Sequence, residues 1–408
     1  MVAPADRRAG RKAERMSESR GRKLTTGVVV ARTGRLSKLG DPLQFAMDLL
    51  APKLRRITNS GRQYEVRLVS RDSRSEPTAA RTATRELVQD EGAAVVVTLA
   101  GTQVLPAVAD TCEELGVPCV SSTFPWQVYY YGRGATADRP FRWTYHFCWG
   151  LGDIAGIFAD MWQRVGPEVE VGALWNDDQQ GNWSRHREHG FLPVAEARGH
   201  ELVDAPAYHE PATDFDDQIA RFRSSGVEVI TSTATAADLA LFRKQAAESG
   251  LFPRLITCSR WLAYPSGPDL AEAKVATLVY WTPRHPYRSS IDGMRPDGLV
   301  QAYERQTGNQ WLQPLGLAYA LFEVAAHALS TASDPTERGS VAEAISTTRL
   351  ETIAGVLDWT RGPVPNVATI PLAGGQWQPG THHHPHDLAI VSSGVPGLRV
   401  EADLELLR

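Results

Sequence analysis

One phrase occurs twice in this chain, and it narrows the fold more than any other feature. A β-branched strand runs into a hydroxyl-bearing turn, then an amphipathic helix, then a second strand. The first copy is Ala93–Thr98, a turn with Gly101 and Thr102, a helix over Pro106–Leu115 and a strand at Val117–Val120. The second is Val227–Thr231, a turn with Thr233 and Thr235, a helix over Asp238–Gly250 and a strand at Arg254–Thr257. Strands alternating with helical stretches of roughly 10–15 residues form parallel βαβ layers. Ligands of such layers sit beyond the carboxyl ends of the strands, where the hydroxyl turns lie. Two layers facing each other make a cleft, the organisation of a binder.

The same alternation extends along the chain. Thr25–Ala31 reads as the first strand, Arg32–Asp41 as a turn and Pro42–Ile57 as a helix, followed by a strand at Tyr64–Ser70. Asp72 to Pro77 opens a helix running to about Asp90, with an acid and a proline near its start. A new series begins at Asp153, with a helix to Arg164, a strand at Glu170–Trp175, a loop over Asn176–Trp183 and a helix to Ala197. His200–Ala205 and Lys274–Thr282 read as strands, and Gly298–Thr307, Pro314–Thr331 and Ser340–Thr347 as helices. The last stretch changes character: Gly355–Trp359, Ala368–Leu372 and Leu388–Val391 are short strands between Pro/Gly-rich turns.

With 408 residues, 42% hydrophobic and 22% charged, the chain can bury one large core or two ordinary ones. No apolar run approaches the roughly 18 residues of a transmembrane helix. The net charge of −4 is unevenly spread: residues 1–23 carry +5 and the remainder −9, which argues against a nucleic-acid-binding body. The basic stretch reads as a disordered leader and lacks the apolar segment of a secretory signal. Four cysteines (Cys112, Cys119, Cys148, Cys258) have no metal spacing and are expected as buried thiols, with a Cys112–Cys119 bridge left to geometry. His382, His383, His384 and His386 read as a surface loop rather than a metal site. There is no P-loop, GxGxxG, GxSxG or HExxH. Asp177-Asp178 and Asp216-Asp217 read as solvated acids, and His146, His186, His189, His200 and His209 lack triad spacing. No cofactor is expected.

A set of pieces in order carries a family resemblance. These are Thr33-Gly34 through Gly40, Asp72 to Pro77, Thr102, Gly116-Val117-Pro118, Ser121-Ser122, Phe141-Arg142, Asp214-Phe215, Tyr303 with Gly308, and Gly355 through Trp377. Together they resemble the branched-chain amino-acid-binding group of type I periplasmic solute-binding proteins, over about residues 24–380. The resemblance implies an α/β fold of two Rossmann-like βαβ lobes joined by a three-segment hinge, with crossovers near 145, 280 and 358. Lobe one would then hold 24–145 and 280–357, and lobe two 146–279 and 358–408.

It also implies a small solute trapped by hinge closure. In relatives, lobe-one hydroxyls and amides receive the ligand carboxylate, and the matching positions are Thr102 and Ser121, Ser122 and Thr123. A desolvated carboxylate needs several donors, and hydroxyls with helix-terminal amides supply them. Helix capping by Thr102 and turn satisfaction by the serines remain open beside that role. Leu39, Trp126, Trp149, Gln180, Thr235, Arg260 and Trp261 complete the expected ligand set.

Lobe two departs from the family. Gln180-Gly181 stands where relatives often show Tyr-Gly, and Cys258-Ser259-Arg260-Trp261 offers no acid for an α-ammonium. An unpaired ammonium is costly in a closed cleft. Arg260 could instead meet a second acidic or carbonyl group of the ligand, or remain a solvated loop charge. Trp126, Tyr129, Tyr130, Tyr131, Trp149, Trp175, Trp183, Trp261 and Tyr264 crowd the cleft segments, suiting an aromatic or bulky carboxylate, with core packing the alternative for each.

The expectation is therefore a non-enzymatic receptor of an ABC-type importer. It would be extracytoplasmic if a signal is missing, partnered by permease subunits, and a monomer or weak dimer. A cytoplasmic sensor on the same fold and an enzyme using the cleft are the alternatives.

Overall fold

The computed structural model describes residues 22–260, 274–380 and 384–407. The chain builds β1 (Arg22–Val30), α1 (Ser37–Leu50), β2 (Arg56–Asn59), β3 (Arg62–Asp72), α2 (Pro77–Gln89), β4 (Ala93–Leu99), α3 (Val104–Leu115), β5 (Cys119–Ser122), α4 (Trp126–Tyr130) and β6 (Thr144–Cys148). A second series follows: α5 (Leu151–Trp162), β7 (Glu170–Leu174), α6 (Gln179–Ser184), α7 (Leu192–Ala197), β8 (Glu201–Asp204), α8 (Asp216–Ser224), β9 (Val229–Ser232), α9 (Ala236–Glu248), β10 (Leu255–Cys258) and β11 (Ala276–Val279). The last part holds α10 (Pro296–Thr307), α11 (Pro314–Thr331), α12 (Arg338–Ser346), β12 (Arg349–Thr352), β13 (Gly355–Asp358), β14 (Val367–Thr369), β15 (Ala373–Pro379) and β16 (His386–Ser393).

Two sheets result. The first has the order β14-β6-β5-β4-β1-β3-β2, the second β16-β15-β11-β10-β9-β7-β8. Within each, the first strand of the series lies between the second and third parallel strands: β1 between β3 and β4, β7 between β8 and β9. Each lobe is thus a doubly wound layer with its own topological switch point, where crevices for ligands open. The central parallel strands are buried on both faces, as in Ala93–Leu99, whereas β3 and β8 keep exposed charged residues. β2, β15 and β16 pair antiparallel and finish the sheets.

The chain passes between sheets after Cys148 and after Val279. The third passage falls between Thr369 and Ala373 rather than near 358, because β14 pairs with β6 and keeps Val367–Thr369 in the first sheet. Two strands also lie where a helix to Ile57 and a turn were expected. Arg56–Asn59 turns back on β3 as a hairpin, and Ala373–Pro379 is a strand despite Gly374 and Gly375. The glycines sit under Met161 and Val279, where a Cβ would crowd the neighbouring side chains.

Packing at the hinge is aromatic. Trp149, after β6, stacks on Tyr280, after β11, with centroids 4.3 Å apart. Both are buried. All four cysteines are buried, and none of them forms a disulfide. Among the described residues no helix is long and apolar enough to cross a membrane.

Candidate functional site

The lobe-one wall forms at the switch point between β1 and β4. Residues 31–36 follow β1 and are knitted to the segment after β3. The Asp72 carboxylate accepts the Arg32 and Arg74 amides at 2.9 and 2.8 Å and the Thr33 hydroxyl at 2.8 Å. Burial pulls the Asp72 pKa up, but these donors outweigh it and hold the group below its ordinary value. The Ser75 hydroxyl donates to the Thr33 carbonyl at 2.6 Å and accepts the Leu36 amide at 3.0 Å. Gly40 lets α1 close on β1, since a Cβ there would overlap the Ala31 carbonyl. Leu39, on the same helix, is half-buried against the core.

Across the switch point lies the turn Gly101–Gln103 that opens α3. Thr102 is half-buried and does not cap the helix: Gln103 holds the N-cap position and no side chain bonds the first turn. Arg35, exposed on the β1–α1 loop, donates to the Gln103 side-chain oxygen at 3.2 Å. A cation and a hydroxyl therefore meet beside the positive end of the α3 dipole, although the first-turn amides of Val104 and Leu105 are bound to the Gly101 carbonyl at 3.2 and 3.0 Å and Pro106 has no N–H. Arg35 was not singled out from the sequence, because a lone arginine in a Gly-containing turn looks like any solvated charge.

Ser121, Ser122 and Thr123 serve differently from the role implied by the resemblance. Ser121 and Ser122 are the last residues of β5 and fully buried. The Ser122 hydroxyl donates to the Phe147 carbonyl at 2.6 Å. Ser121 meets the Tyr145 carbonyl at 3.2 Å and His146 Nδ1 at 2.9 Å. The Thr123 hydroxyl lies 2.7 Å from the Ala100 carbonyl and also against that of Ser122. Each hydroxyl proton is thus directed at a protein acceptor, and these residues tie β5 to its neighbours. Thr123 also has φ +122°, a strained value for a β-branched residue, costing on the order of 1–3 kcal/mol.

The Ser121–His146 contact resembles a nucleophile–base pair, but its surroundings make it structural. His146 is buried, its Nε2 faces the Phe124 carbonyl at 3.0 Å, and Tyr129 covers the ring at 4.2 Å. Burial pushes its pKa down to about 3. Among the described residues no carboxylate orients it.

In lobe two, α6 lies over the end of β7. Gly181 permits this approach, since a Cβ would overlap the Asn176 carbonyl. Asp178 caps α6 by accepting the amides of Gln180 and Gly181 at 2.8 and 3.0 Å. The Gln180 side chain donates to Ser259 Oγ at 3.2 Å, joining the β7 and β10 loops. Thr235 is the N-cap of α9: its hydroxyl accepts the Asp238 amide at 3.2 Å and donates to the Asp238 carboxylate at 2.6 Å. It is therefore committed to helix capping.

Arg260 is neither a solvated charge nor an unpaired one. Its guanidinium meets Glu210 at 2.6 Å and Asp178 at 3.8 Å, and donates to the Thr233 carbonyl at 3.2 Å. Burial disfavours its charge, but Glu210 and Asp178 more than compensate and raise its pKa. Lobe two thus does contain acids at this face, from segments remote in sequence, and they are bound to Arg260. Asp177 pairs with His209 at 2.9 Å.

The aromatic residues divide. Tyr129, Tyr130, Trp149 and Trp175 are buried in packing, not displayed on a wall. Tyr129 lies under the Arg133 guanidinium at 4.6 Å, and Trp175 packs edge-on against Phe191. Trp126, Tyr131 and Trp183 are half-buried and meet at the rim between the lobes. Trp126 is 5.7 Å from Tyr131, which lies 6.4 Å from Trp183 in near-parallel planes. Trp261 and Tyr264, and His382 and His383, lie outside the described residues. His384 is bound to Glu304 at 2.9 Å, and among the described residues no cluster of three or more His, Cys, Asp and Glu could hold a metal.

The periplasmic binding protein family model matches residues 23–388. The chain belongs to that family. Its members are binding proteins, not enzymes. Solved structures share the two-lobed architecture. A leucine binding protein of Thermotoga maritima is 18% identical, with 91% of this chain and 99% of that one covered at a TM-score of 0.69. A solute binding protein of an ABC transporter from R. palustris, solved in complex with 4-hydroxybenzoate, is 14% identical over 91% and 96%, with a TM-score of 0.71. An ABC transporter substrate-binding protein from Sphaerobacter thermophilus is 16% identical over 94% and 99%, also at 0.71. At these identities the likeness is one of fold. No curated protein matches the chain.

Proposed function

We propose that this protein is the extracytoplasmic solute receptor of an ATP-driven importer, binding a small bulky or aromatic carboxylate between its lobes. The observation that carries this is an asymmetry. Lobe one offers Arg35 and Thr102 as anion donors beside the positive end of the α3 dipole, whereas the lobe-two acids Asp178 and Glu210 are engaged by Arg260. A ligand ammonium would have to compete with a partly buried arginine for those carboxylates, at a cost of several kcal/mol for any ion left unpaired. A carboxylate without an ammonium avoids that competition. The half-buried Trp126, Tyr131 and Trp183 supply apolar surface at the rim. The three passages between sheets form the hinge in this reading, with the Trp149–Tyr280 stack as its packed centre.

A thermal-shift and calorimetric comparison of 4-hydroxybenzoate, benzoate, leucine and isoleucine tests the proposal. Ligand at 100 times its dissociation constant stabilises the folded chain by about 2.7 kcal/mol, a clear rise in melting temperature. Preference for the benzoates is the expected result, and preference for the amino acids would overturn the carboxylate-only reading. Thr102→Ala should weaken the preferred acid by about 1–3 kcal/mol, the usual loss for a hydrogen bond to a charged group, measured by calorimetry.

A further inference from the structure

Where the lobes meet, four near-parallel rings close into a cluster. Tyr131, just past α4 of lobe one, stacks on His189 of lobe two with centroids 4.6 Å apart and planes 18° apart. His189 stacks on His186 at 5.1 Å and 16°, and His186 on Trp183 at 5.2 Å and 15°. Trp183 in turn faces Tyr131 at 6.4 Å. The cluster bridges the lobes through Tyr131. Nothing in the carboxylate-binding arrangement requires two histidines there.

One of the histidines has a ring nitrogen committed as an acceptor. His186 Nδ1 accepts two backbone amides, those of Glu188 at 3.2 Å and His189 at 3.3 Å. The turn on which His189 stands is therefore closed by an imidazole lone pair. A proton on that nitrogen removes the acceptor and turns two N–H groups against an N–H. A second positive charge on His189 would sit one ring away. We infer that this ring cluster is a proton-sensitive clasp: it holds Tyr131 of lobe one to lobe two when both imidazoles are neutral and lets go in acid.

The surrounding charges do not reverse that sign. On the same segment, Glu188 favours the charged form of His189, but burial and then the neighbouring His186 prevail and lower its pKa. Arg185 is held by Asp204 at 2.9 Å, and Arg187 adds a further positive charge to the segment. From lobe one the facing group is the Tyr131 ring, while Arg133 turns inward to Asp110 at 2.7 Å. From α6, the Trp183 ring belongs to the cluster itself, and Gln179 approaches Gly132.

The inference rests on the two-lobed receptor reading, but its test needs no ligand. Small-angle scattering of the full ligand-free chain is recorded at about pH 7.5 and about pH 5, bracketing the ordinary imidazole range. The radius of gyration should rise reversibly in acid, with unchanged far-ultraviolet circular dichroism. Tyr131→Ala should give the larger radius at both values. His186→Asn combined with His189→Phe should keep the small radius at both, because the Asn oxygen can accept the same amides and neither side chain titrates. A wild-type radius that does not respond to pH, or a doubly substituted chain that still expands, overturns the clasp. Failure of every carboxylate to bind would sink the receptor proposal while leaving the scattering result to stand.

Discussion

At the residue scale, Glu323 sets the clearest dependence on pH. It lies on α11, buried, and accepts the Ser290 amide and hydroxyl at 2.6 and 2.9 Å and the Ile353 amide at 2.9 Å. Burial raises its pKa to about 7, against the pull of these donors. Between an unfolded value near 4.5 and the folded one, the native state binds more protons than the unfolded state. This group's contribution is therefore greatest in acid and declines as pH rises through that window, by about 3 kcal/mol in total. Denaturant titrations from about pH 4.5 to 7 should show the decline, and Glu323→Gln should flatten it. Paired carboxylates such as Asp292, whose pKa is lowered, act in the opposite sense, so the comparison of variant and parent isolates Glu323.

Caps and close approaches carry the predictions at the element scale. Thr235→Ala removes the α9 cap and should cost about 1 kcal/mol of stability by denaturant titration, with affinity for the preferred acid nearly unchanged. Loss of affinity without loss of stability would instead mean that Thr235 touches ligand. The elements themselves were largely legible. Pro314–Thr331 is a helix over the expected residues, because a mostly apolar segment, broken by Glu323 and His327 and opened by a proline, has little alternative. The helix expected at Pro42–Ile57 ends early, at Leu50, because Ile57 and Asn59 bury their side chains in a hairpin with β3. That pairing is set by β3, outside the window from which periodicity is read.

For the whole molecule, the hinge decides how the lobes communicate. Trp149→Ala removes a large buried ring from the stack with Tyr280 and should cost about 3–5 kcal/mol of stability. The expected signature in a denaturant titration is a lower midpoint with some broadening, because the lobes lose part of what couples them. Retained stability with lost affinity would place Trp149 on the ligand instead of in the hinge.

The repeated strand–turn–helix–strand phrase was enough to determine two parallel layers with hydroxyl-bearing turns after their strands, since period and turn chemistry are local properties. Family membership followed from the order of weak pieces along the chain. Which hydroxyls remain to meet a ligand was a tertiary question: Ser121, Ser122 and Thr123 face carbonyls on neighbouring segments, and only strand pairing brings those carbonyls near. The pairing of Arg260 with Glu210, fifty residues earlier, was equally hidden, as was the meeting of Tyr131 with His189. Chain order shows what each residue can do; the sheets decide which partner it finds, because charge pairing and ring stacking act through space over a few ångströms and carry no sequence period.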